Sequence, residues 1–251
     1  QDIAGQLSQA FGVRSIPFCV MFAGGQPVDG FVGALPEAQI KAFLDKHVPT
    51  ADEIEAEAET EEAEALIAEG DTDAALAKLQ QAVAIDPAND DARFDYVKLL
   101  LEHGDLAMAE QAFEPVAPKA AFEARFEALA HWLAAHKKAP QARDAATLAA
   151  AIAANKRDFE ARFELAQSHF AAQRFTEAMD ELLDIIMRDK VWHNELARKT
   201  YVAILTLLAK PAPKAATGQA KGALEVTGKA AAVSADPVVD AYRRKLSMAL
   251  F

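Results

Sequence analysis

The chain repeats itself, and the period leaves few folds open. Gly70, Ala75, Leu79 and Ala82 return as Gly104, Ala109, Phe113 and Val116, each displaced by 34 residues. Small residues at helix crossings and Gly at the turn describe two antiparallel helices per unit, and such units bury their apolar faces only by stacking on neighbours. Ile85-Asp86-Pro87 stops the first copy, and Phe94, Tyr96, Val97, Leu100 and Leu101 line the first helix of the second, which begins near Asp91. From Phe122 to Ala154 the pattern thins to an Ala-rich, degenerate unit with Phe126, Leu129, Trp132, Leu133, Leu148 and Ile152. It returns at Phe159, with Phe163, Leu165, Ala166 and Phe170 on one helix and Phe175, Ala178, Leu182 and Ile185 on the next. Gln173 stands 69 residues after Gly104, one period of 34 plus one of 35, so the register survives the weak unit.

This period and layout are the tetratricopeptide signature. The expected fold is mainly α, a tetratricopeptide-like helical-repeat solenoid over residues 61–209, closed by an amphipathic helix from Trp192 to Leu208. Phe94, Phe126 and Phe163 fall on helical apolar periods, which places them in a core and not in a ligand stack.

Charge narrows the partners. The net charge of −12 divides into −1 over residues 1–50, −16 over residues 51–115 and +5 over the remainder. An acidic middle repels nucleic acid and anionic lipid, which leaves basic or apolar protein surfaces. Ala51 to Glu64 holds eight carboxylates and no basic residue. It reads as an acidic connecting helix or linker, residues 49–60, that enters the solenoid through Ile54, Leu66 and Ile67 with its charges solvated. No run of about 18 apolar residues is present to span a bilayer, and there is no secretion-signal layout. Cys19, the single cysteine, has no partner for an internal disulfide and suggests a reducing compartment.

Residues 1–48 read differently. Ile3, Leu7, Ala10 and Phe11 have helical spacing and end at Gly12; Phe18 to Phe22 is an unbroken apolar run typical of a strand covered on both faces. Gly24-Gly25 turns the chain into a second strand near Val28 to Val32, and Pro36 opens a helix with Ile40, Phe43 and Leu44 facing inward. Phe11-Gly12-Val13-Arg14-Ser15-Ile16-Pro17, Phe22-Ala23-Gly24-Gly25-Gln26, Gly33-Ala34-Leu35 and Phe43-Leu44 resemble the second half of a thioredoxin, in the order α-β-β-α. The resemblance implies a cis bond before Pro17 and a redox motif upstream. A chain that opens on Gln1 inside a helical pattern reads as a piece whose amino-terminal part, including that motif, lies elsewhere. Half a thioredoxin leaves strand edges and an apolar sheet face unpaired, so residues 1–48 are expected to self-associate or dock onto other surfaces. Inside its apolar strand Cys19 is expected to be a buried, inert thiol, with a redox-sensitive one as the alternative.

Beyond the repeats, Lys210 to Ser234 is rich in Ala, Lys, Gly, Pro and Thr and reads as a low-complexity surface loop, residues 210–235. Asp236-Pro237 restarts a helix, residues 236–251. Its basic and apolar residues Tyr242, Arg243, Arg244, Leu246, Leu250 and Phe251 either cap the solenoid or bind a partner.

No catalytic constellation emerges. The six His residues form no HExxH, and His131, His136 and the Ser168-His169 pair lack the spacing of a site. Gly228-Lys229 fails as a phosphate loop because Ala223 and Ala230 stand where Gly and Ser or Thr are needed. No catalytic, cofactor-binding or metal residues are assigned.

Taken together, the thioredoxin-like piece, the acidic helix, the degenerate repeats, Glu195-Leu196-Ala197-Arg198-Lys199 and Tyr242-Arg243-Arg244-Lys245-Leu246 resemble the bacterial thioredoxin-fold tetratricopeptide co-chaperones, the chaperedoxin family. The resemblance implies a cytoplasmic, non-enzymatic holdase that binds unfolding client proteins and hands them to a chaperonin or an Hsp70 system. Two alternatives stay open: a thiol-disulfide oxidoreductase whose catalytic half lies outside this chain, and a repeat scaffold for one defined peptide.

Overall fold

A computed structural model describes residues 11–13, 15–23, 26–209 and 236–250. The expected helix over Ile3 to Phe11 (Phe11 excepted), the Gly24-Gly25 turn, the 210–235 segment and Phe251 lie outside the described residues. The described chain divides into two compact units, residues 11–54 and residues 55–209 with 236–250.

The first unit holds β1 (Phe18–Ala23), β2 (Gln26–Val32) and α1 (Glu37–Asp45). The strands pair antiparallel, Phe18 opposite Val32 and Cys19 opposite Phe31, with an irregularity between Met21 and Phe22. The Ile16–Pro17 bond is cis, and the Pro17 carbonyl accepts from Gly33 N–H at 2.8 Å. Phe31 meets Phe43 edge to face at 5.1 Å, and Asp29 binds Lys46 at 2.9 Å and His47 at 2.7 Å, which fastens β2 to the end of α1. These contacts hold the Asp29 carboxyl well below its ordinary pKa. The expectation of a strand covered on both faces does not hold: Cys19 and Phe22 are exposed. Among the described residues the unit offers a two-stranded ribbon and one helix, too few elements to enclose either strand.

The second unit begins within α2 (Ala51–Glu69), which runs unbroken through the acidic stretch. Thr50 and Glu53 form a reciprocal capping box: Thr50 N–H donates to Glu53 at 2.6 Å, and Glu53 N–H donates to the Thr50 hydroxyl at 3.1 Å. The buried face of α2 is Ala56, Thr60 and Ala63, one helical stripe of small residues. There follow α3 (Thr72–Ile85), α4 (Asp90–His103), α5 (Leu106–Phe113), α6 (Ala124–Lys138), α7 (Ala145–Ala154), α8 (Phe159–Ala171), α9 (Phe175–Arg188), α10 (Leu196–Leu208) and α11 (Pro237–Leu250). Asp71, Asn89, Asp105, Asp144 and Asp158 each cap a helix, accepting from the N–H three residues on.

The repeat register is visible in the turns. Gly70, Gly104 and Gln173 all adopt positive φ (85°, 88° and 59°). The following residue donates in each case to the carbonyl five positions back: Asp71 to Leu66, Asp105 to Leu100, Arg174 to His169. Gln173 performs the glycine's turn and adds a side-chain bond to the Glu102 carbonyl at 2.8 Å.

The repeat departs from its first copy in one place: Ala82 lies in α3, but Val116, its counterpart, lies beyond α5, which gives way after Phe113 to a 3-10 segment, Glu114–Ala121, because Pro115 and Pro118 lack the N–H that an α-helix needs. The helix expected from Trp192 starts at Leu196; His193, Asn194 and Glu195 turn the chain through consecutive positive φ values.

One core joins these helices except α7, from Ala63 to Tyr242. At its centre Trp132 on α6 is fully buried, stacked on Phe170 of α8 at 5.9 Å and edge-on to Phe175 of α9 at 5.6 Å. Its indole N–H donates to the Phe170 carbonyl at 3.1 Å. Helix α6 therefore packs on α8 and α10, and α7 forms a small separate cluster on α8 through Leu148, Ala161 and Leu165.

Candidate functional site: the grooves of the repeat array

Helices α2, α4, α6 and α10 leave two open grooves. The first, about 240 Å³, lies between α2 and α4 and is lined by Glu64, Ile67, Asp95, Lys98, Leu99 and Glu102. Helical spacing puts Asp91, Asp95, Lys98 and Glu102 on one stripe of α4 while its opposite face, with Tyr96, Val97, Leu100 and Leu101, goes to the core. Lys98 approaches Glu102 at 4.0 Å. Asp95 is half-buried and has no hydrogen bond or ion pair among the described residues. Burial raises its pKa to about 6, with Lys98 and Arg125 opposing the rise and Glu64 and Asp91 adding to it. Burial also raises the pKa of Glu102.

The sign of the Asp95 shift yields a stability prediction. A carboxyl raised from 3.8 to about 6 contributes stability that is fully present below the lower value and lost as pH rises through the higher one. Asp95→Asn holds the neutral form at every pH. The variant is expected to be more stable than the natural chain by about 1–2 kcal/mol at neutral pH, after allowing for solvent screening. Urea denaturation should show the advantage shrinking as pH falls from about 6 towards about 4.

The second groove, about 290 Å³, lies between α6 and α10, with Ala128, Val202 and Ala203 as its floor and Glu127, Glu195, Arg198 and Lys199 at its rim. Arg198 pairs with Glu195 at 2.7 Å. His131 sits beside Thr200, whose hydroxyl lies 3.3 Å from Nδ1, and burial lowers its pKa. A third groove, beside α8, is lined in part by Phe163, Gln167 and Glu164, and Glu164 is held by Arg143 through Nε at 2.9 Å and Nη2 at 2.7 Å.

The residues singled out from sequence fall into two places. Pro17 and Cys19 lie at the start of β1, exposed. Tyr242 on α11 is buried at 8 % exposure. It donates its hydroxyl to Asp180 at 3.1 Å, and its carbonyl accepts from the Tyr201 hydroxyl at 2.8 Å. Leu246 and Leu250 pack partly buried against the core, and Lys245 covers the Tyr242 ring at 3.9 Å and binds Asp180 at 3.1 Å. The apolar stripe of α11 is thus spent inside the second unit, as the capping alternative requires of Tyr242, Leu246 and Leu250. Arg243 and Arg244 remain exposed, with Met248 at 73 %.

Sequence reasoning missed Asp95, Lys98 and Glu102. Their spacing was readable, but nothing in the sequence says that α2 comes alongside them. Among the described residues no group of three or more His, Cys, Asp or Glu is arranged to hold a metal ion, and no helix is long and apolar enough to cross a membrane.

Residues 66–133 and 138–224 each match a tetratricopeptide-repeat family profile. Thioredoxin 1 of Nostoc sp. is 44% identical over 43 residues, 17% of this chain and 40% of that protein. A thioredoxin of Chlorobaculum thiosulfatiphilum is 45% identical over 47 residues, 19% of this chain and 40% of that protein. An uncharacterized protein of Mycobacterium tuberculosis is 24% identical over 221 residues, 87% of this chain and 64% of that protein. The chain spans less than two thirds of the length of each. It carries tetratricopeptide repeats together with a short thioredoxin-like segment, and the repeats mark it as a protein-binding scaffold.

Proposed function

We propose that this chain is a non-enzymatic, cytoplasmic co-chaperone of the holdase type, which binds unfolding client proteins and passes them to a chaperonin or Hsp70-type chaperone. The observation that carries it is the coexistence, in one chain, of repeat grooves with apolar floors and a thioredoxin-like unit rich in exposed apolar side chains. Ile16 is 90 % exposed, and Phe22, Val28, Val32, Leu44 and Val48 are also open to solvent. Such surface binds unfolded chains by reversible burial, at about 25 cal/mol per Å² before ordering costs. The chaperedoxin resemblance supplies the hand-over step.

In this reading the chaperone contact on α11 runs through its outer face, Arg243, Arg244 and Met248. Arg243→Glu with Arg244→Glu, measured by chaperonin co-sedimentation at low and high salt, is expected to weaken binding at least tenfold at low salt and to erase its salt dependence. Binding by the natural chain that is untouched by the double substitution would sink the role of this face. Suppressed aggregation of a heated client without any chaperone binding would leave a holdase and remove the hand-over.

A second reading, a scaffold for one defined peptide, is favoured by the rim charges of the α2–α4 groove. One saturable ligand without protection of diverse clients would select it. Dithiol exchange is the third reading, and it would require a thiol pair from outside this chain, since Cys19 is its one cysteine.

A further inference from the structure

We propose that the α2–α4 groove receives an apolar segment of a partner protein that carries a lysine or arginine, whose cation pairs with Asp95. The inference deepens the scaffold reading and rests on it.

The lining has two chemistries. Ile67, 40 % exposed, offers apolar contact above the buried Leu99 at 5 %, while Glu64, Asp95 and Glu102 present carboxylates around it. At about 240 Å³ the groove has room for one or two side chains and not for a whole cofactor-sized ligand.

Charge complementarity identifies the occupant. The groups that face Asp95 are Asp91, Lys98 and Glu102 on its own helix, Glu64 on α2 and Arg125 on α6. Both cations are engaged elsewhere: Lys98 with Glu102, and Arg125 with Asp91 and Glu123. Asp95 is left ionised at neutral pH, half-buried and without a hydrogen-bond donor among the described residues. An entering ammonium or guanidinium supplies both the charge and the donors, and its aliphatic stem covers Ile67 and Leu99. The field around the groove has the same sign, since residues 51–115 carry a net −16. It draws in a basic segment and repels an acidic one.

The test uses the full chain and two fluorescein-labelled amphipathic peptides, one of Lys and Leu, the other identical but with Glu for Lys. Anisotropy is expected to show binding of the Lys peptide and none of its Glu twin. Asp95→Asn should weaken the Lys peptide about tenfold while circular dichroism shows the fold intact. Affinity should fall from about pH 7 to about pH 5 as Asp95 protonates, and Lys199→Gln, in the other groove, should change nothing. Equal binding of the two peptides, or indifference to Asp95→Asn, overturns the proposal. If a peptide of another composition still binds saturably in that case, the scaffold reading stands without this occupant; if no peptide binds, both fall, and protection of clients then leaves the holdase reading alone. Sedimentation of the natural chain and of Asp95→Asn completes the test. Self-association lost on the substitution, without peptide binding, would assign the groove to a second copy of this chain and overturn the proposal.

Discussion

Trp132→Ala is expected to cost about 3–5 kcal/mol, enough to leave the second unit largely unfolded in a protein of ordinary stability. The residue is fully buried and meets α8 and α9 through Phe170 and Phe175. Alanine leaves a cavity where three helices converge, and helix backbones do not close such a gap. Trp132→Phe separates two contributions. It keeps an aromatic surface against Phe170 but removes the donor to the Phe170 carbonyl, which still accepts from Gln173 N–H at the helix end. Because that carbonyl keeps one partner, the loss should stay near 1–2 kcal/mol. Urea denaturation followed by far-UV circular dichroism distinguishes the two. A cost below about 1 kcal/mol for Trp132→Ala would mean that α6 is not the hub described here.

Arg162→Ala is expected to cost about 2–4 kcal/mol. Arg162 is buried near the start of α8, where its guanidinium binds Glu181 and, at 2.9 Å, Asp184, both on α9. Removing it leaves two carboxylates close together in a partly desolvated cleft, with Arg188 at 3.6 Å from Asp184 as the remaining cation. The repulsion and the lost pairing exceed the packing contribution of the stem. Arg162→Lys should fall between, because an ammonium cannot span both carboxylates as a planar fork does. The penalty should shrink at high salt, since the acidic partners are about a quarter exposed and screening reaches them. A cost unchanged by salt would assign the effect to packing.

Arg162 also shows what the sequence made legible and what it hid. Asp91-Ala92-Arg93-Phe94, Glu123-Ala124-Arg125-Phe126 and Glu160-Ala161-Arg162-Phe163 recur at the starts of α4, α6 and α8. The three arginines meet different fates. Arg93 is buried against the carbonyls of Ala112 and Pro87, Arg125 reaches Asp91 and Glu123, and Arg162 ties α8 to α9. Side-chain type recurs with the repeat, but the partner depends on which helix comes alongside.

The same distinction runs through the fold. Turn chemistry is local, so Gly70, Gly104 and even Gln173 fell into one register from spacing alone. Helix pairing is not local. The stretch from Phe122 to Ala154 reads as one degenerate unit, yet among the described residues the buried cluster of α7 forms on α8, because Leu148 and Ile152 are the only large apolar residues of α7 and cannot match what Phe170 and Phe175 offer to Trp132. Cys19 failed for a related reason: its apolar neighbours predicted cover that no element among the described residues supplies. The tail helix offers a cap or a partner surface from sequence alone, and its apolar stripe goes to the core because Tyr201 and Asp180 come beside Tyr242.

The measurement that tests the central claim most directly is light scattering from a thermally unfolding client protein mixed with rising amounts of this chain. The account predicts suppression of aggregation that saturates near equal amounts of chain and client and holds for clients of unrelated sequence. Scattering unchanged at every ratio, from a chain shown to be folded at that temperature, would contradict it.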